Sequence, residues 1–478
     1  MKNLIGKEYL DASDGRFREV INPATSEVID TVPLSTLEDV DKAVTIAKKA
    51  QRNWAKVPIH ERASILTKFC SLVFEQKDEL AKLLSDETGK PIKEAIAEIA
   101  NIQIGVPAFI EKAKHLYGNV IPAGQEVGNE NTIQYTVQAP LGVVVAIIPF
   151  NFPCDLFCQK VPPALLMGNS VILEPSLHNP LTLNKLVGIL KDAGVPDGVI
   201  NVVNGEGPVI GQGFAAHPDV ALVSLTGSTA AGIETMGTAS QHLHHVMLEL
   251  GGNDAFILCE DGDIDLAVAE TIWGRFYNTG QVCCASKRFL IHNSVKNDYI
   301  KKLKARLDTL KTGMPSDPES DLGCLISEEA AITVEKQVNQ TVEAGANIVY
   351  GGKRNKAFYE PTIIDNVTKD MEVAKDLEIF GPVVSIIGFD DLEEAISIAN
   401  QSSFGLCGGI ITSDMKKAFK TAEEMECGGF IINGASFFRS FEMPFGGWKY
   451  SGIGNEGVMS TLKEMSRTKT IILKNILK

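Results

Sequence analysis

Short apolar runs recur between positions 143 and 250, and helical patterning or a polar, glycine-rich turn separates each run from the next. A continuous apolar run of this length is typical of a strand buried on both faces of a parallel sheet. Strands that alternate with helices predict βαβ units and a doubly wound α/β sheet, which binds ligands at the carboxyl ends of its strands. The runs are Val143–Pro149, Ser170–Leu173, Val199–Val203, Ala221–Leu225 and Val246–Leu250.

Helical spacing of apolar residues predicts further helices over 35–50, 59–85 and 91–116, the first opened by a capping box at Ser35 to Glu38. The first forty residues predict short strands, with a turn at 22–25. Alternating polar and apolar residues at 132–138 predict an exposed strand, and the tail at 468–474 predicts another. A second α/β unit is expected from Gly251, with helices near 266–277 and 295–311 and strands at 383–388 and 429–433.

We therefore expect a Rossmann-like, doubly wound cofactor domain, a second α/β catalytic domain and a β-strand oligomerisation arm. The dinucleotide-binding domain would comprise 1–120 and 141–250, and the catalytic domain 251–445. The arm and the C-terminal tail would comprise 121–140 and 446–478.

Composition and charge exclude several classes of function. A hydrophobic fraction of 44% in 478 residues is that of an ordinary globular protein. The net charge of −15 disfavours nucleic acid and anionic membranes as partners, so local groups must hold any anionic cofactor. Nine scattered cysteines and a charged N-terminus without the apolar core of a signal peptide predict a cytoplasmic protein.

One stretch, Phe276 to Ala285, contains adjacent cysteines, Cys283 and Cys284, directly after Gly280-Gln281-Val282. Glycine permits a tight turn that brings a thiol to the end of a packed element, where a substrate reaches it. The structural alternative is a pair of buried cysteines that pack as small hydrophobic residues. We expect no metal site, because Cys154 and Cys158 lack a second ligand pair.

Six motifs in one order give the chain a close resemblance to the aldehyde dehydrogenase superfamily, in its hydrolytic branch that does not acylate coenzyme A. Each motif alone is weak, but together they span almost the whole chain. They are Ile148-Pro149-Phe150-Asn151-Phe152-Pro153, Leu225-Thr226-Gly227-Ser228, Leu248-Glu249-Leu250-Gly251-Gly252, Asn278 to Cys283, Glu378-Ile379-Phe380-Gly381-Pro382 and Pro444-Phe445-Gly446-Gly447.

The resemblance implies a role for each of four catalytic residues. Cys283 would attack the aldehyde carbon as a thiolate, and the Asn151 amide would stabilise the resulting oxyanion. Glu249 would activate the water that hydrolyses the thioester. Lys160 matches a lysine thought to assist proton movement, although a solvated or structural lysine is an open alternative. Cys284 is expected to pack rather than react.

The resemblance also implies that NAD(P) is the cofactor. Glu378 would hold the nicotinamide ribose beside Phe380, and small residues would admit the pyrophosphate to backbone N–H groups. Where the family usually has lysine, this chain has Glu174, which suits ribose hydroxyls and should repel a 2′-phosphate. We therefore expect NAD, with NADP as an alternative. The full set of expected cofactor residues is Ile148, Pro149, Phe150, Glu174, Gly207, Gly211, Thr226, Gly227, Ser228, Leu250, Glu378 and Phe380.

The expected substrate is a short polar or anionic aldehyde, such as lactaldehyde, glycolaldehyde or phosphonoacetaldehyde. Arg439, in the loop 433–440, resembles the arginine of that branch and could clamp an anion, although an exposed loop arginine is equally compatible. Asp155 departs from the asparagine common in the branch. Tyr277 stands where semialdehyde-specific members tend to have arginine. Phe437 and Phe438 fit either the core or the substrate funnel. The family also implies a homodimer or homotetramer.

Three alternatives to hydrolytic oxidation remain. Acyl transfer to coenzyme A is disfavoured by Glu249, which that branch characteristically lacks. A catalytically weak nucleotide-binding or structural homologue is disfavoured by the complete set of Cys283, Asn151 and Glu249. A cysteine hydrolase would need a histidine partner, and the cluster at His242, His244 and His245 is expected to be solvated.

Overall fold

A computed structural model describes residues 1–475, and an eight-stranded sheet organises the first half of them. Its order is β2-β1-β9-β8-β7-β10-β11-β23, and its five central strands are parallel. The central strands coincide with the five predicted runs to within a few residues, which confirms the predicted α/β class. Numbered in chain order, the strands are β1 (Asn3–Ile5), β2 (Glu8–Leu10), β7 (Val143–Ile148), β8 (Ser170–Pro175), β9 (Ile200–Val202), β10 (Val220–Thr226), β11 (His245–Glu249) and β23 (Gly452–Ile453).

A seven-stranded sheet organises the second half, in the order β14-β17-β18-β13-β12-β20-β21. All its neighbours are parallel except the edge strand β14, which runs antiparallel to β17. The second predicted α/β unit is therefore present. Its strands are β12 (Asp254–Leu258), β13 (Ser286–His292), β14 (Asn347–Tyr350), β17 (Thr362–Val367), β18 (Val383–Phe389), β20 (Cys407–Ile411) and β21 (Gly429–Ile432).

The helices cover the faces of both sheets. They are α1 (Leu37–Trp54), α2 (Ile59–Glu75), α3 (Lys77–Thr88), α4 (Ile92–Lys114), α5 (Pro153–Leu166), α6 (Pro180–Ala193), α7 (Gly207–Ala216), α8 (Thr229–Ala239), α9 (Ile264–Phe276), α10 (Lys296–Leu307), α11 (Glu328–Glu343), α12 (Leu392–Asn400), α13 (Met415–Glu424) and α14 (Val458–Glu464). Among residues 1–475, none of them combines the length and apolar character needed to cross a bilayer.

The predicted capping box of α1 is wrong by one residue. Thr36 is the N-cap, and Asp39 closes the box by accepting a hydrogen bond from the Thr36 N–H at 2.9 Å. Ser35 accepts instead from the Asn3 amide at 2.7 Å. The segment offers two overlapping boxes, and the contact with β1 selects the second.

A three-stranded antiparallel sheet, in the order β24-β6-β5, contains the predicted arm strands. These are β5 (Val120–Ile121), β6 (Thr132–Pro140) and β24 (Ser466–Lys474), and β24 pairs with β6 along its whole length. The domain boundaries remain a prediction, and residues 476–478 of the predicted tail lie outside the described part. The remaining strands form small hairpins or pairs: β3 (Phe17–Ile21), β4 (Val28–Pro33), β15 (Arg354–Asn355), β16 (Phe358–Tyr359), β19 (Phe404–Gly405) and β22 (Trp448–Lys449).

Candidate active site

The turn between α9 and Cys283 has a strained backbone and positions Cys283 in the site. After α9 ends, Asn278 and Thr279 both have left-handed backbone angles, with φ of 49° and 53°. This conformation is costly for a β-branched residue such as Thr279, so neighbouring contacts must hold it. The Asn278 N–H donates to Glu94 Oε2 at 2.8 Å, and its side-chain amide donates to the Asn151 carbonyl at 2.9 Å. The turn is thereby tied to the segment that carries Asn151.

Cys283 is half-buried at the wall of a cavity of about 300 Å³, and Cys284 behind it is buried. The cavity brings together Cys283, Asn151 and all three predicted substrate residues, but the described lining includes no histidine. The lining residues are Ala97, Asn101, Asn151, Phe152, Asp155, Leu156, Gln159, Trp273, Tyr277, Val282, Cys283, Cys284, Phe437, Arg439, Ser440 and Phe441.

Asn151 follows β7 and precedes α5, at the carboxyl edge of the first sheet. Its carbonyl accepts hydrogen bonds from Asn278 and from Lys90 Nζ, the latter at 2.9 Å. Lys90 is fully buried and paired with Glu98, whose other carboxylate oxygen accepts the Cys154 N–H at 2.8 Å. A buried charge persists only when it is paired and hydrogen-bonded. This pair fixes the Asn151 backbone, so the side-chain amide points from a rigid support.

Helix α4 forms one side of the substrate cavity. Asn101 donates from its amide to both Asp155 oxygens, at 3.0 and 3.3 Å. Ala97 lines the same cavity one turn earlier, and Gly105 lies one turn later against the ring of Phe441. A Cβ at Gly105 would lie 2.6 Å from that ring, which explains the glycine. Burial, followed by the charge of Glu98, raises the pKa of Asp155 to about 7.

Aromatic side chains make the opposite walls. Phe152 and Tyr277 stack with ring centroids 6.1 Å apart, and Phe437 lies 4.8 Å from Trp273 and 5.2 Å from Tyr277. Phe437 thus belongs to the cavity wall, whereas Phe438 is exposed. These rings leave polar recognition of a substrate to the other lining residues, among them Cys283, Asn151, Asp155 and Arg439.

A buried charge cluster extends from the cavity beneath Cys283. Arg439 is paired with Glu456, and Glu456 Oε1 is also 2.8 Å from Lys160 Nζ. Lys160 is 1% exposed and donates to Ser224 Oγ as well, so the solvated alternative is wrong. Against the effect of burial, the positive charges of Lys160 and Arg439 lower the pKa of Glu456. Arg439 also stacks on Phe445, 4.1 Å from its centroid, so it is not a free loop arginine.

Glu249 ends β11, and both of its carboxylate oxygens are buried without a hydrogen-bond partner among the described residues. Burial, with the negative charges of Cys283 and Glu456, raises its pKa well above the usual range. A hydrogen bond with Cys284, followed by burial, likewise raises the pKa of the Cys283 thiol, against the effect of Arg439 and Lys287. The surroundings of both groups therefore favour their neutral forms in the free protein.

Most of the predicted cofactor residues lie at or just after the carboxyl ends of strands in the first sheet, whereas Glu378 and Phe380 come from the second unit, before β18. Ile148 ends β7, Pro149 and Phe150 follow it, Leu250 follows β11, and Ser228 caps α8 by accepting the Ala231 N–H. Phe150 and Phe380 meet edge to face at 6.1 Å. The helix N-terminus at Thr226-Gly227-Ser228 suits an anionic pyrophosphate. Thr226 Oγ1 is buried there without a described partner.

Two carboxylates mark the ends of this crevice. Glu174 is 4% exposed with Oε2 unpartnered among the described residues, and burial raises its pKa to about 8. A Cβ on Gly207 or Gly211 would lie 3.4 or 3.2 Å from its oxygens. Glu378, at the other end, is half-buried beside Gly251 and Gly252. Acceptors held open beside glycines fit the ribose hydroxyls and phosphates of a dinucleotide.

Sequence reasoning missed four residues that shape this site: Lys90, Asn278 as a tether, Lys287 and Glu456. Glu456 lies 296 positions after Lys160, and no local pattern joins the two. Lys287 could have been singled out from the sequence, because two adjacent charged residues, Lys287 and Arg288, stand near the start of β13, directly before its apolar residues.

Comparison with known proteins agrees with this geometry. The family model described as "Aldehyde dehydrogenase family" matches residues 9–471. A 3-sulfolactaldehyde dehydrogenase of Priestia aryabhattai is 39% identical over 455 residues, covering 95% of this chain and 94% of its own.

Two solved structures superpose closely on this chain. A 3,6-anhydro-L-galactose dehydrogenase in complex with NADP has a TM-score of 0.95 and 33% identity, covering 99% of each chain. A betaine aldehyde dehydrogenase of Staphylococcus aureus in complex with NAD⁺ has a TM-score of 0.95 and 32% identity, covering 99% of this chain and 95% of its own. The chain belongs to the aldehyde dehydrogenase family and is an NAD(P)-dependent aldehyde dehydrogenase.

Proposed function

We propose that the protein oxidises a short polar or anionic aldehyde to its carboxylic acid through a covalent adduct on Cys283. The observation that carries this proposal is the shared cavity, which Cys283, Asn151 and Arg439 line together. The 3-sulfolactaldehyde dehydrogenase relative supports it, because that protein's named substrate combines an aldehyde with an anionic group.

The residues divide the chemistry among them. The Cys283 thiolate attacks the carbonyl carbon, and the Asn151 amide donates a hydrogen bond to the oxyanion that forms. NAD(P) would be held by the strand-end residues of the first sheet and by Glu378, and when bound it would supply a hydride acceptor. Loss of the hydride from that carbon would leave the acyl group on Cys283 as a thioester. Glu249, as carboxylate, takes a proton from the attacking water, and hydrolysis releases the acid and the thiol. Lys160 and Glu456, joined by a hydrogen bond behind the cavity, support proton movement in this part of the site.

Arg439 recognises the substrate's anionic or polar end. Its guanidinium lines the cavity while Glu456 holds it in place, so a second acceptor meets an ordered donor. Such charge-assisted hydrogen bonds are roughly twice as strong as neutral ones. A cationic aldehyde is the second candidate, since the aromatic walls and Asp155 would suit an ammonium group. The similarity to a betaine aldehyde dehydrogenase favours that candidate.

The cofactor preference proposed here is NAD over NADP. Glu174 lies at the end of β8, where two hydroxyls could donate to its free oxygen, and ionised Glu174 would repel a 2′-phosphate. We further propose that the arm adds to the sheet of a second copy, giving a homodimer or homotetramer. Ile472 and Leu473 of β24 are 55% and 40% exposed, which favours that contact. The nine free cysteines favour a cytoplasmic location.

The test is a matched panel of sulfolactaldehyde, lactaldehyde, betaine aldehyde and succinic semialdehyde, each with NAD or NADP and with or without coenzyme A. We expect the highest kcat/KM for an anionic or hydroxylated short aldehyde with NAD, and free acid as product without coenzyme A. A rate that required coenzyme A, or a preference for betaine aldehyde, would contradict the proposal. Light scattering of the same preparation gives the number of subunits, and a monomer would contradict the proposed assembly.

A further inference from the structure

Lys287 is a buried lysine whose contacts all lie on groups of the proposed reaction. It follows Cys283 by four residues, at the second position of β13, and its side chain is only 2% exposed. Nζ donates to the Cys283 carbonyl and lies 3.1 Å from Glu378 Oε1. It also lies 5.9 Å from the centroid of Phe380. A buried ammonium is costly unless it is paired, so these contacts determine where it sits.

The next residue shows what a purely structural cation does in the same strand. Arg288 is buried as well, but its guanidinium donates to backbone carbonyls of Asn253, Ala374, Ile398 and Ala399. Those contacts join segments of the second α/β unit. Lys287, by contrast, bridges the backbone of the proposed nucleophile and the carboxylate proposed to bind the cofactor.

The ion pair with Lys287 gives the two carboxylate oxygens of Glu378 different surroundings. Oε1 forms the ion pair with Lys287 and, at 3.4 Å, accepts a hydrogen bond from the Gly252 N–H. Oε2 is turned toward Gly251, where a Cβ would approach it to 2.6 Å. The Glu378 carbonyl accepts from the Gln337 amide at 3.0 Å, which fixes the backbone as well. One oxygen is therefore committed to the protein, and the other stays open for a ligand hydroxyl.

Lys287 also contributes to the electrostatics of Cys283. The titratable and charged groups around that thiol are Cys284, Glu249, Cys407, Arg439 and Lys287. Cys284 and burial favour the neutral thiol, whereas the positive charges of Arg439 and Lys287 favour the thiolate. Asp254 is a second acid close to the ammonium, and its pKa is raised to about 7 by burial, with Lys287 opposing.

We propose that Lys287 is a positioning residue that couples cofactor binding to the nucleophile. Its ammonium holds Glu378 with one oxygen open to the nicotinamide ribose hydroxyls, and it anchors the Cys283 backbone at the same time. The inference rests on the proposed function in that Glu378 contacts the cofactor and Cys283 is the reacting thiol. Lys287 itself acts through these two residues.

The test uses Lys287→Met, which keeps the length of the side chain and removes the charge, and Lys287→Gln as a second variant. The control is Lys296→Met, which breaks a partly buried lysine–aspartate pair of the same 3.1 Å separation far from the cavity. Calorimetry gives Kd for NAD without turnover, and mass spectrometry gives the rate of Cys283 alkylation by iodoacetamide between pH 6 and 10. We expect both Lys287 variants to bind NAD about tenfold more weakly and to be alkylated at least threefold more slowly at neutral pH. The control should match the parent.

A double-mutant cycle with Glu378→Gln separates positioning from a general loss of structure. If Lys287 acts through Glu378, Lys287→Met weakens NAD binding in the parent but not in the Glu378→Gln background. Equal weakening in both backgrounds, or NAD affinity and alkylation rates that match the parent, would overturn the proposal. If Lys287→Met does not fold, the same cycle with Lys287→Gln decides. Failure of this inference leaves the aldehyde preference of the parent and its requirement for Cys283 intact, whereas failure of the proposed function appears in the aldehyde panel or as turnover by Cys283→Ala.

Discussion

The cofactor side and the substrate side of Cys283 are built in different ways. The cofactor side consists of strand ends, a helix N-terminus and glycines, and its few charged groups, Glu174 and Glu378, keep oxygens open. The substrate side consists of aromatic rings and a charge cluster in which Arg439, Glu456 and Lys160 are already paired with one another. The cofactor side therefore suits one constant ligand, whereas the substrate side can change its preference among aldehydes. Substitutions should therefore separate cofactor affinity from substrate preference.

The two sides meet at one sulfur, so its removal should abolish the reaction while both sides stay intact. Cys283→Ala should lower kcat by about 10⁴-fold or more, because residues that act together in covalent catalysis fail as a unit. The NAD affinity of the variant should equal that of the parent when measured by calorimetry. Cys284→Ala is the matched control and should retain turnover. A Cys283→Ala enzyme with substantial NADH formation would contradict the assignment.

Glu249 lies between the cofactor side and the substrate side. Its loss should stall the second half of the reaction, the hydrolysis of the thioester. Glu249→Gln should reduce steady-state turnover by roughly 10²–10⁴-fold, the usual contribution of a general base. A thioester should then accumulate and appear as a mass increase on the Cys283 peptide after one turnover. Normal steady-state rates in this variant would show that another group activates the water.

The same residues set the direction of the pH dependence. Because the pKa values of Glu249 and Cys283 are both raised, the fraction of carboxylate and thiolate increases as pH rises above neutral. We expect kcat/KM to increase toward alkaline pH and to level off only above the higher of the two pKa values. A profile that falls over this range would show that the neutral forms carry the reaction.

Arg439 tests the substrate side through KM, because its charge also favours the Cys283 thiolate and would therefore affect kcat. Arg439→Gln should raise KM for an anionic aldehyde roughly 10- to 100-fold, since a charged hydrogen bond contributes about 1.5–3 kcal/mol. Its Kd for NAD should not change. Asp155→Asn is the matched control in the same cavity, and for an anionic substrate it should preserve or lower KM. If Arg439→Gln left KM unchanged for anionic aldehydes and lowered it for betaine aldehyde, the cationic substrate class would be favoured.

Glu174 gives the smallest expected effect and tests the cofactor side alone. At pH 9, where the Glu174 carboxyl is ionised, Glu174→Gln should weaken NAD binding severalfold, because one charged acceptor becomes neutral. In the parent, the preference for NAD over NADP should grow as pH rises through about 8, where the carboxyl ionises and repels the 2′-phosphate. Calorimetric titrations with both nucleotides at pH 6.5 and 9 measure this, with the exposed Glu75→Gln as control. Equal preference at both pH values would remove Glu174 from the discrimination.

The contrast between the two sides also explains which parts of the structure could be predicted from the sequence. A strand such as β7 is apolar because both of its faces are buried, so a short window of sequence reveals it. Strand β13 was not predicted, because Ser286, Lys287 and Arg288 interrupt its apolar run. The motifs of the cofactor side are local in the chain for a similar reason, since each occupies one strand end. The charge cluster is different, because Lys160 and Glu456 become partners only after the chain has folded. Arg439 and Phe437 stood in a recognisable loop, but their contacts depended on Glu456 and Trp273, which no local pattern predicted.

Helix α4 has a further consequence for selectivity. Ala97, Asn101 and Gly105 lie on one face of α4, and the buried residues of α4 pack in the same hydrophobic core as strands of the first sheet. A larger side chain at Ala97 would shorten the space available to an aldehyde tail. The length of aldehyde that the cavity accepts is thus set by a helix of the first core, and it can diverge among related enzymes without a change at Cys283.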